Sequence, residues 1–165
     1  MPSITAPNDY IGQYVISNST AREPKIQACI DSVETTILCE LFGVDFKDIV
    51  LQGVVDLDPI YEKLFNSFEY QDSCNRIWIS KGVKEMLLGF VYFQWYATHQ
   101  VSETINGIRN KEAENSSQTS SVQANTEQRY NEAVKTYRAI QAYIVEHLED
   151  YPEFKGITKR LTSWF

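Results

Sequence analysis

Apolar residues recur at helical spacing along most of the chain, and the phase of that recurrence predicts four helices. Ile26, Ile30, Val33, Ile37 and Leu41 follow one another at intervals of three and four, which places them on one face of a helix. Thr20 suits the N-cap of this first helix, Glu23 and Pro24 suit its first turn, and Gly43 stands where a left-handed C-cap would close it. Residues 44–57 fit a short helix or a strand equally well. Asp58-Pro59 opens a second helix with the carboxylate as cap, and Ile60, Leu64, Phe65 and Phe68 form its apolar stripe. Gln71 to Asn75 reads as a turn. Ser80 caps a third helix running from Lys81 to about Thr104. A fourth, from about Glu127 to Glu149, carries Tyr130, Val134, Tyr137, Ile140 or Gln141, Ile144 and Leu148. At about 1.5 Å per residue each of these two helices is roughly 35 Å long, and together they form an antiparallel hairpin.

Two irregularities shape the expected architecture. The third helix is apolar on more than one face (Val83, Met86, Leu87, Phe90, Val91, Phe93, Trp95, Tyr96, Ala97, Val101), so it sits centrally or buries a second face in a partner. The connection Ile105 to Thr126 exceeds the roughly 2 to 8 residues usual between bundle helices. Its first half, Ile105 to Lys111, alternates as a strand does, and its second half, Asn115 to Ser121, has the composition of a flexible arm. The first twenty residues are polar and turn-rich around Tyr10, Ile11, Tyr14, Val15 and Ile16, an arm with a brief ordered element. Beyond the fourth helix Tyr151-Pro152 breaks the pattern. A tail with Phe154, Ile157, Leu161, Trp164 and Phe165 then needs a surface to dock on, in this subunit or a neighbour. The predicted fold class is all-α: a helical bundle with a long antiparallel helix hairpin, an extended loop at its tip, and extended N- and C-terminal segments. It is read as one domain, 1–165, comprising an arm (1–20), helices one to three (21–104), the extended loop (105–126), helix four (127–150) and a tail (151–165).

Composition narrows the class. A chain of 165 residues supports one core, and 10 Tyr, 8 Phe and 3 Trp within 43% hydrophobic residues exclude a wholly disordered or low-complexity reading. No apolar run approaches the ~20 residues that span a bilayer, and Met1 to Tyr10 lacks a basic segment followed by an apolar one, so neither a membrane nor a secreted protein is expected. Cys29, Cys39 and Cys74 have no spacing that suggests a disulfide framework or a zinc site, which favours a reducing compartment. The net charge of -7 is regional: residues 31–72 carry ten acids against Lys47 and Lys63. Such a chain is a poor candidate for gripping nucleic-acid phosphates.

Catalytic signatures do not emerge. No phosphate-binding glycine loop, nucleophile elbow or H-E-x-x-H pattern occurs. Asp56, Asp58 and Glu62 cluster near a helix start and could hold a divalent cation or act as an acid/base pair, which makes a small enzyme a third, weaker rival reading. Acids, however, gather at helix starts for capping and dipole reasons alone. Cys39 has no histidine nearby in sequence and reads as a packed thiol, and the two histidines, His99 and His147, lie far apart. Lys155, Lys159 and Arg160 read as solvated charges on a docking segment. Arg109 and Lys111 are followed at once by Glu112 and Glu114. No enzyme activity and no catalytic, cofactor or metal residues are expected.

The layout resembles the head-tail connector, or neck ring, proteins of tailed bacteriophages, most closely those of crAss-like phages of gut bacteria. The resemblance covers nearly the whole chain in order of elements. Its most specific stretch is the hairpin: Phe90-Val91-Tyr92-Phe93-Gln94-Trp95-Tyr96, Thr104 and Gly107, then Glu114-Asn115-Ser116. It continues through Arg129-Tyr130-Asn131-Glu132-Ala133-Val134, Tyr137, and Ala139-Ile140-Gln141-Ala142-Tyr143-Ile144. The N-terminal arm is the least family-like part. The resemblance implies a structural virion protein, made in the host bacterial cytoplasm, whose copies form a homo-oligomeric ring, typically twelve-fold, at the neck. That ring binds the portal, meets other neck or tail proteins, and lets DNA pass during packaging and ejection without specific binding and without a membrane. The expected interface residues are Ile105, Gly107, Ile108, Arg109, Lys111, Glu114, Asn115 and Ser116 of the loop, with Phe154, Ile157, Trp164 and Phe165 of the tail. The extra face of the third helix is a further candidate for ring contacts, and the acids of 31–72 would repel DNA phosphates if they line the lumen. The rival reading is a monomeric helical ligand-binding or regulatory domain whose aromatic third helix lines a pocket for a small apolar ligand.

Overall fold

The computed structural model describes residues 3–16, 23–52, 59–99, 101–104, 107–110, 116–152 and 154. The chain is mostly helical: α1 (Glu23–Gln52), α2 (Pro59–Phe65), α3 (Val83–His99) and α4 (Ser116–Glu146), with two short antiparallel ladders, β1 (Phe68–Gln71) with β2 (Ile77–Ser80) and β3 (Val101–Thr104) with β4 (Gly107–Asn110). The expectation of an all-α fold is corrected on that point.

The first helix begins at Glu23 with Pro24 in its first turn, as the pattern requires. Its apolar stripe is inward: Ile26, Ile30, Ile37 and Leu41 are buried, joined by Leu38 and Phe42. Gly43 takes a positive φ of 80° with an extended ψ of 172°, a conformation costly for any residue with a Cβ. It therefore breaks α1 into two helical segments and does not end it. Residues 44–52 are helical, which decides the first part of the ambiguous stretch 44–57; 53–57 and Asp58 lie outside the described residues.

The predicted stripe of the second helix fails at both ends. Leu64 is buried, but Ile60 is exposed and Phe68 belongs to β1. Phe68, Tyr70, Trp78 and Ser80 face one side of the ladder and Glu69, Gln71, Ile77 and Ile79 the other, because residues directly opposite in register share a face. The inner side stacks on α4, with Phe68 and Tyr70 ring centroids 5.1 and 5.2 Å from Tyr143. The turn expected at Gln71 to Asn75 is present and built on Asp72. Its Oδ1 accepts the amides of Cys74 (2.9 Å) and Arg76 (2.8 Å), and its Oδ2 accepts Trp78 Nε1 at 2.8 Å. The Trp78 bond first, then the amides, hold the Asp72 carboxyl below its ordinary value. Asn75 supplies the positive φ of 61° that the turn needs.

The third helix is shorter than expected. Ser80 ends β2, its Oγ accepts the Gly82 amide at 3.1 Å, and the helix runs only to His99 before β3 begins at Val101. The strand expected from Ile105 to Lys111 is realised as Gly107–Asn110. The fourth helix starts at Ser116, about three turns before the expected Glu127. Ser, Thr, Gln and Asn disfavour a helix interior only mildly, so a polar run does not forbid extension of a helix already anchored further along. The helix ends at Glu146, a turn follows, and Tyr151 leaves the helical path as Tyr151-Pro152 requires.

α3 and α4 pack with opposed chain directions. Lys81 meets Glu132 at 3.0 Å, Gly89 faces Arg129 and Ala133, and Phe93 meets Tyr130 at 4.5 Å between ring centroids. At Gly89 an added Cβ would lie 2.9 Å from Ala133 Cβ and from the Arg129 carbonyl, so the absence of a side chain sets the closeness of the crossing. The main core gathers Leu38, Leu41, Phe42, Leu64, Val83, Met86, Leu87, Val134, Tyr137, Ile140, Ile144 and Tyr151 from α1, α2, α3, α4 and the segment after it. Tyr137 is wholly buried and its hydroxyl pKa is pushed up to about 12 by desolvation. Tyr151 closes the far end by donating its hydroxyl to the Ile60 carbonyl at 2.8 Å.

Candidate interaction site

A second buried cluster explains the all-round hydrophobicity of α3. Leu88, Val91, Tyr92 and Trp95 of α3, with Ile26 and Ile30 of α1, are covered by Tyr10, Tyr14 and Ile16 of the N-terminal segment. The expected free face for a ring neighbour is thus occupied within the chain, and the expected N-terminal arm is a strap lying across the seam of α1 and α3. Its ordered element consists of two single 3-10 turns, Pro7–Asp9 and Gly12–Tyr14.

Polar contacts fasten the strap along its length. Glu34, 3% exposed, accepts the Thr5 amide (2.8 Å) and Thr5 Oγ1 (2.7 Å) on Oε1 and the Ile4 amide (2.9 Å) on Oε2. Burial raises the Glu34 pKa, and these three bonds only partly oppose that. Tyr10 Oη lies 3.0 Å from Thr5 Oγ1. Further along, Lys84 pairs with Asp9 at 3.0 Å, Gln13 and Tyr14 both donate to Glu85 at 3.0 Å, and Tyr96 donates to the Val15 carbonyl at 3.2 Å. Sequence reading missed Glu34 as a latch. The available signal was an acid one turn from both Ile30 and Ile37, at the edge of a buried stripe.

Beside the strap, α1 and α3 leave an open groove of about 630 Å³. Ala28, Cys29, Ser32, Val33, Thr36 and Ile37 of α1, Phe90, Phe93, Gln94 and Thr98 of α3, and Tyr130 of α4 line it. Its surface is mostly apolar, with Ser32, Thr36, Thr98 and Gln94 as the polar side chains of the lining. Cys29, half-buried there, has a thiol pKa raised by burial, which keeps it protonated and weakly reactive.

The sequence-derived candidates are not brought together in the described residues. Gly107, Ile108 and Arg109 lie in β4 and Ser116 at the start of α4, while Ile105, Lys111, Glu114 and Asn115 lie outside the described residues. Phe154 is half-buried against the main core. Ile157, Trp164 and Phe165, with Lys155, Lys159 and Arg160, lie outside the described residues, as do Asp56 and Asp58; Glu62 is exposed on α2. Cys39 is half-buried. His147 stacks on Tyr143 at 4.1 Å between ring centroids, its Nδ1 2.8 Å from the Tyr143 carbonyl, a structural placement at the end of α4. Among the described residues, no group of three His, Cys, Asp or Glu side chains could hold a metal ion, and no helix is long and apolar enough to cross a membrane.

The described residues thus form a helical body with a strap across the α1–α3 seam, a groove between α1 and α3, and two short antiparallel ladders. The chain belongs to a protein family of unknown function, DUF6712, whose model matches residues 41–161, well over half of its length. No curated protein and no solved structure matches the chain.

Proposed function

We propose that the chain is a structural subunit that assembles with copies of itself into a ring joining the portal of a phage capsid to its tail, with DNA passing through the lumen. On this reading α3 and α4 form a long helical hairpin, the segment 100–115 is an arm at its tip, and 155–165 is a second attachment. The observation that carries the proposal is the β3–β4 ladder. A two-stranded hairpin is marginally stable alone in water. The β1–β2 ladder is supported by α4, whereas among the described residues no helix packs along β3–β4 in that way. Such a ladder is completed by a neighbour, through its open edges or its faces. The outer side of β1–β2 adds a separate apolar patch, with Ile77 73% and Ile79 59% exposed. Two different patches per subunit are what a head-to-tail ring requires. Asp31, Asp45, Glu62 and Glu69 are exposed within the acidic stretch and would keep DNA sliding if they face the lumen.

The test replaces residues 101–115 with a short Gly-Ser linker. The variant is expected to melt with the parent, because among the described residues no helix packs along the ladder, and to lose assembly on the portal in sedimentation and electron microscopy. A variant that still builds rings sinks the role given to the arm.

The groove favours a second reading, a monomeric domain binding a small apolar ligand, since about 630 Å³ falls within the usual range of ligand sites. That reading expects long-chain fatty acids or similar apolar probes to raise the melting temperature in proportion to the logarithm of their concentration once the site saturates. No shift at the solubility limit of the probes discards it.

A further inference from the structure

We infer that the open edge of β1 in one copy pairs with the β3–β4 ladder of the next copy, so that the two ladders join into one sheet across the subunit boundary. The inference rests on the assembly reading and names the surface that the arm meets.

The turn at Asp72 fixes which backbone groups of β1 point outward. The β1–β2 register continues to Asp72 opposite Arg76, and the Asp72 amide donates to the Arg76 carbonyl at 3.0 Å. Bonded and non-bonded pairs alternate along an antiparallel ladder. Phe68 and Tyr70 therefore turn their amides and carbonyls toward β2, and Glu69 and Gln71 turn theirs away from it. Among the described residues β2 is the strand that runs against α4, no helix runs along β1, and no backbone group meets the outward groups of Glu69 and Gln71. The edge is also unprotected: its four residues pair without a bulge and include no Pro. On the outer side Ile77 and Ile79 stand opposite Gln71 and Glu69, an exposed apolar pair that strands added beside β1 shelter.

The β3–β4 ladder fits this edge. All four strands are four residues long, about 13 Å, so the edges match end to end. A hairpin gains independent stability from further strands or from packing on a helix. The β1–β2 ladder supplies both, because it already rests on α4 through Phe68, Tyr70 and Tyr143.

Distance excludes the same copy. The β1 strand lies level with Tyr143, whereas Phe93 meets Tyr130, thirteen residues back along α4 or roughly 20 Å. Val101 follows Phe93 by eight residues, and α3, which runs opposite to α4, carries the chain further from β1. A four-residue strand folded back along the helices covers about 13 Å and stops short. The two ladders thus stand at opposite ends of the α3–α4 pair. A contact between them joins two different surfaces, so it propagates from copy to copy and closes as a ring when the rotation allows.

Two one-sided variants provide the test, read by sedimentation with and without the portal ring. Glu69→Pro removes an outward amide and blocks the edge while leaving the bonds between β1 and β2 in place. Gln71→Pro does the same at the other outward amide, and thermal melts verify that each folds. The second chain has residues 101–115 replaced by a Gly-Ser linker. Each variant alone is expected not to associate with itself. An equimolar mixture is expected to give a one-to-one dimer that grows no further, since one chain keeps only the ladder and the other only the edge. Glu69→Ala, which retains the amide, is expected to assemble as the parent does. No dimer from folded variants overturns the inference, and so does a Glu69→Pro chain that assembles like the parent or a Glu69→Ala chain that does not. If the parent still builds rings in those cases, the contact fails and the assembly reading stands. If the mixed dimer forms but the parent builds no ring on a portal, the contact stands and the neck role falls.

Discussion

Replacing Gly82 by Ala is expected to lower the melting temperature by roughly 10–15 °C, the shift that about 4 kcal/mol produces in a domain of this size. Gly82 joins β2 to α3 at a φ of +89°, where a Cβ is already disfavoured, and that Cβ would lie 2.1 Å from the Phe65 carbonyl oxygen and 2.8 Å from its carbon. The obstacle is backbone at the end of α2, so no side-chain rotation relieves it. The junction also carries the first helical bond of α3, from the Met86 amide to the Gly82 carbonyl at 3.1 Å. Movement there displaces α2, the β1–β2 ladder and α3 together. Gly12→Ala is the contrasting variant: φ is +60°, but nothing stands within 4 Å of the added atom, and a loss of only about 1 kcal/mol is expected. Equal losses for the two would mean that the α2–α3 contact is not what Gly82 serves.

Glu34→Ala is expected to cost about 3 kcal/mol, close to 10 °C in melting temperature, and to expose the strap to proteolysis between Ser3 and Ile16 while α3 and α4 stay protected. The substitution leaves the Ile4 and Thr5 amides without their acceptor in a buried place. Thr5 Oγ1 keeps only Tyr10. Glu34→Gln discriminates further, since an amide nitrogen at the Oε2 position would point a donor at the Ile4 amide. The pH dependence has a definite sign. Burial holds the Glu34 pKa above its unfolded value, so the folded state binds this proton more tightly. Its contribution is fully present below the ordinary glutamate value and is lost as pH rises through the raised one. Mild acid is thus expected to keep the strap in place, and the wild-type stability slope in that window is expected to vanish in Glu34→Ala. A strap that detaches on acidification would contradict the assignment.

Helical periodicity made the helices legible because burial and spacing coincide: Ile26, Ile30, Ile37 and Leu41 are all in the core. Gly43 was legible as a break, since only its lack of a Cβ tolerates the positive φ, but what followed it was not. The β1–β2 ladder was hidden because Phe68 continues the i, i+4 series from Leu64, and four residues per strand cannot outweigh a helical phase that runs into them. Only Asp72, an acid positioned to bond backbone two residues on, signalled the turn. The start of α4 was hidden for a different reason: Ser116 to Ser121 carry no apolar phase to read. Of the site, the aromatic excess on α3 was visible, and its partner was not. Tyr10, Tyr14 and Ile16 are too irregularly spaced to identify a covering strap, and the groove depends on how α1 and α3 diverge, which no local pattern encodes.

Assembly is the claim on which the functional account stands, and electron microscopy of the purified chain mixed with its cognate portal ring tests it most directly. The account predicts a closed ring of copies seated on the portal, with residues 101–110 reaching a neighbouring subunit or the portal itself. A chain that remains monomeric beside an intact portal, at concentrations where the portal stays assembled, would contradict it.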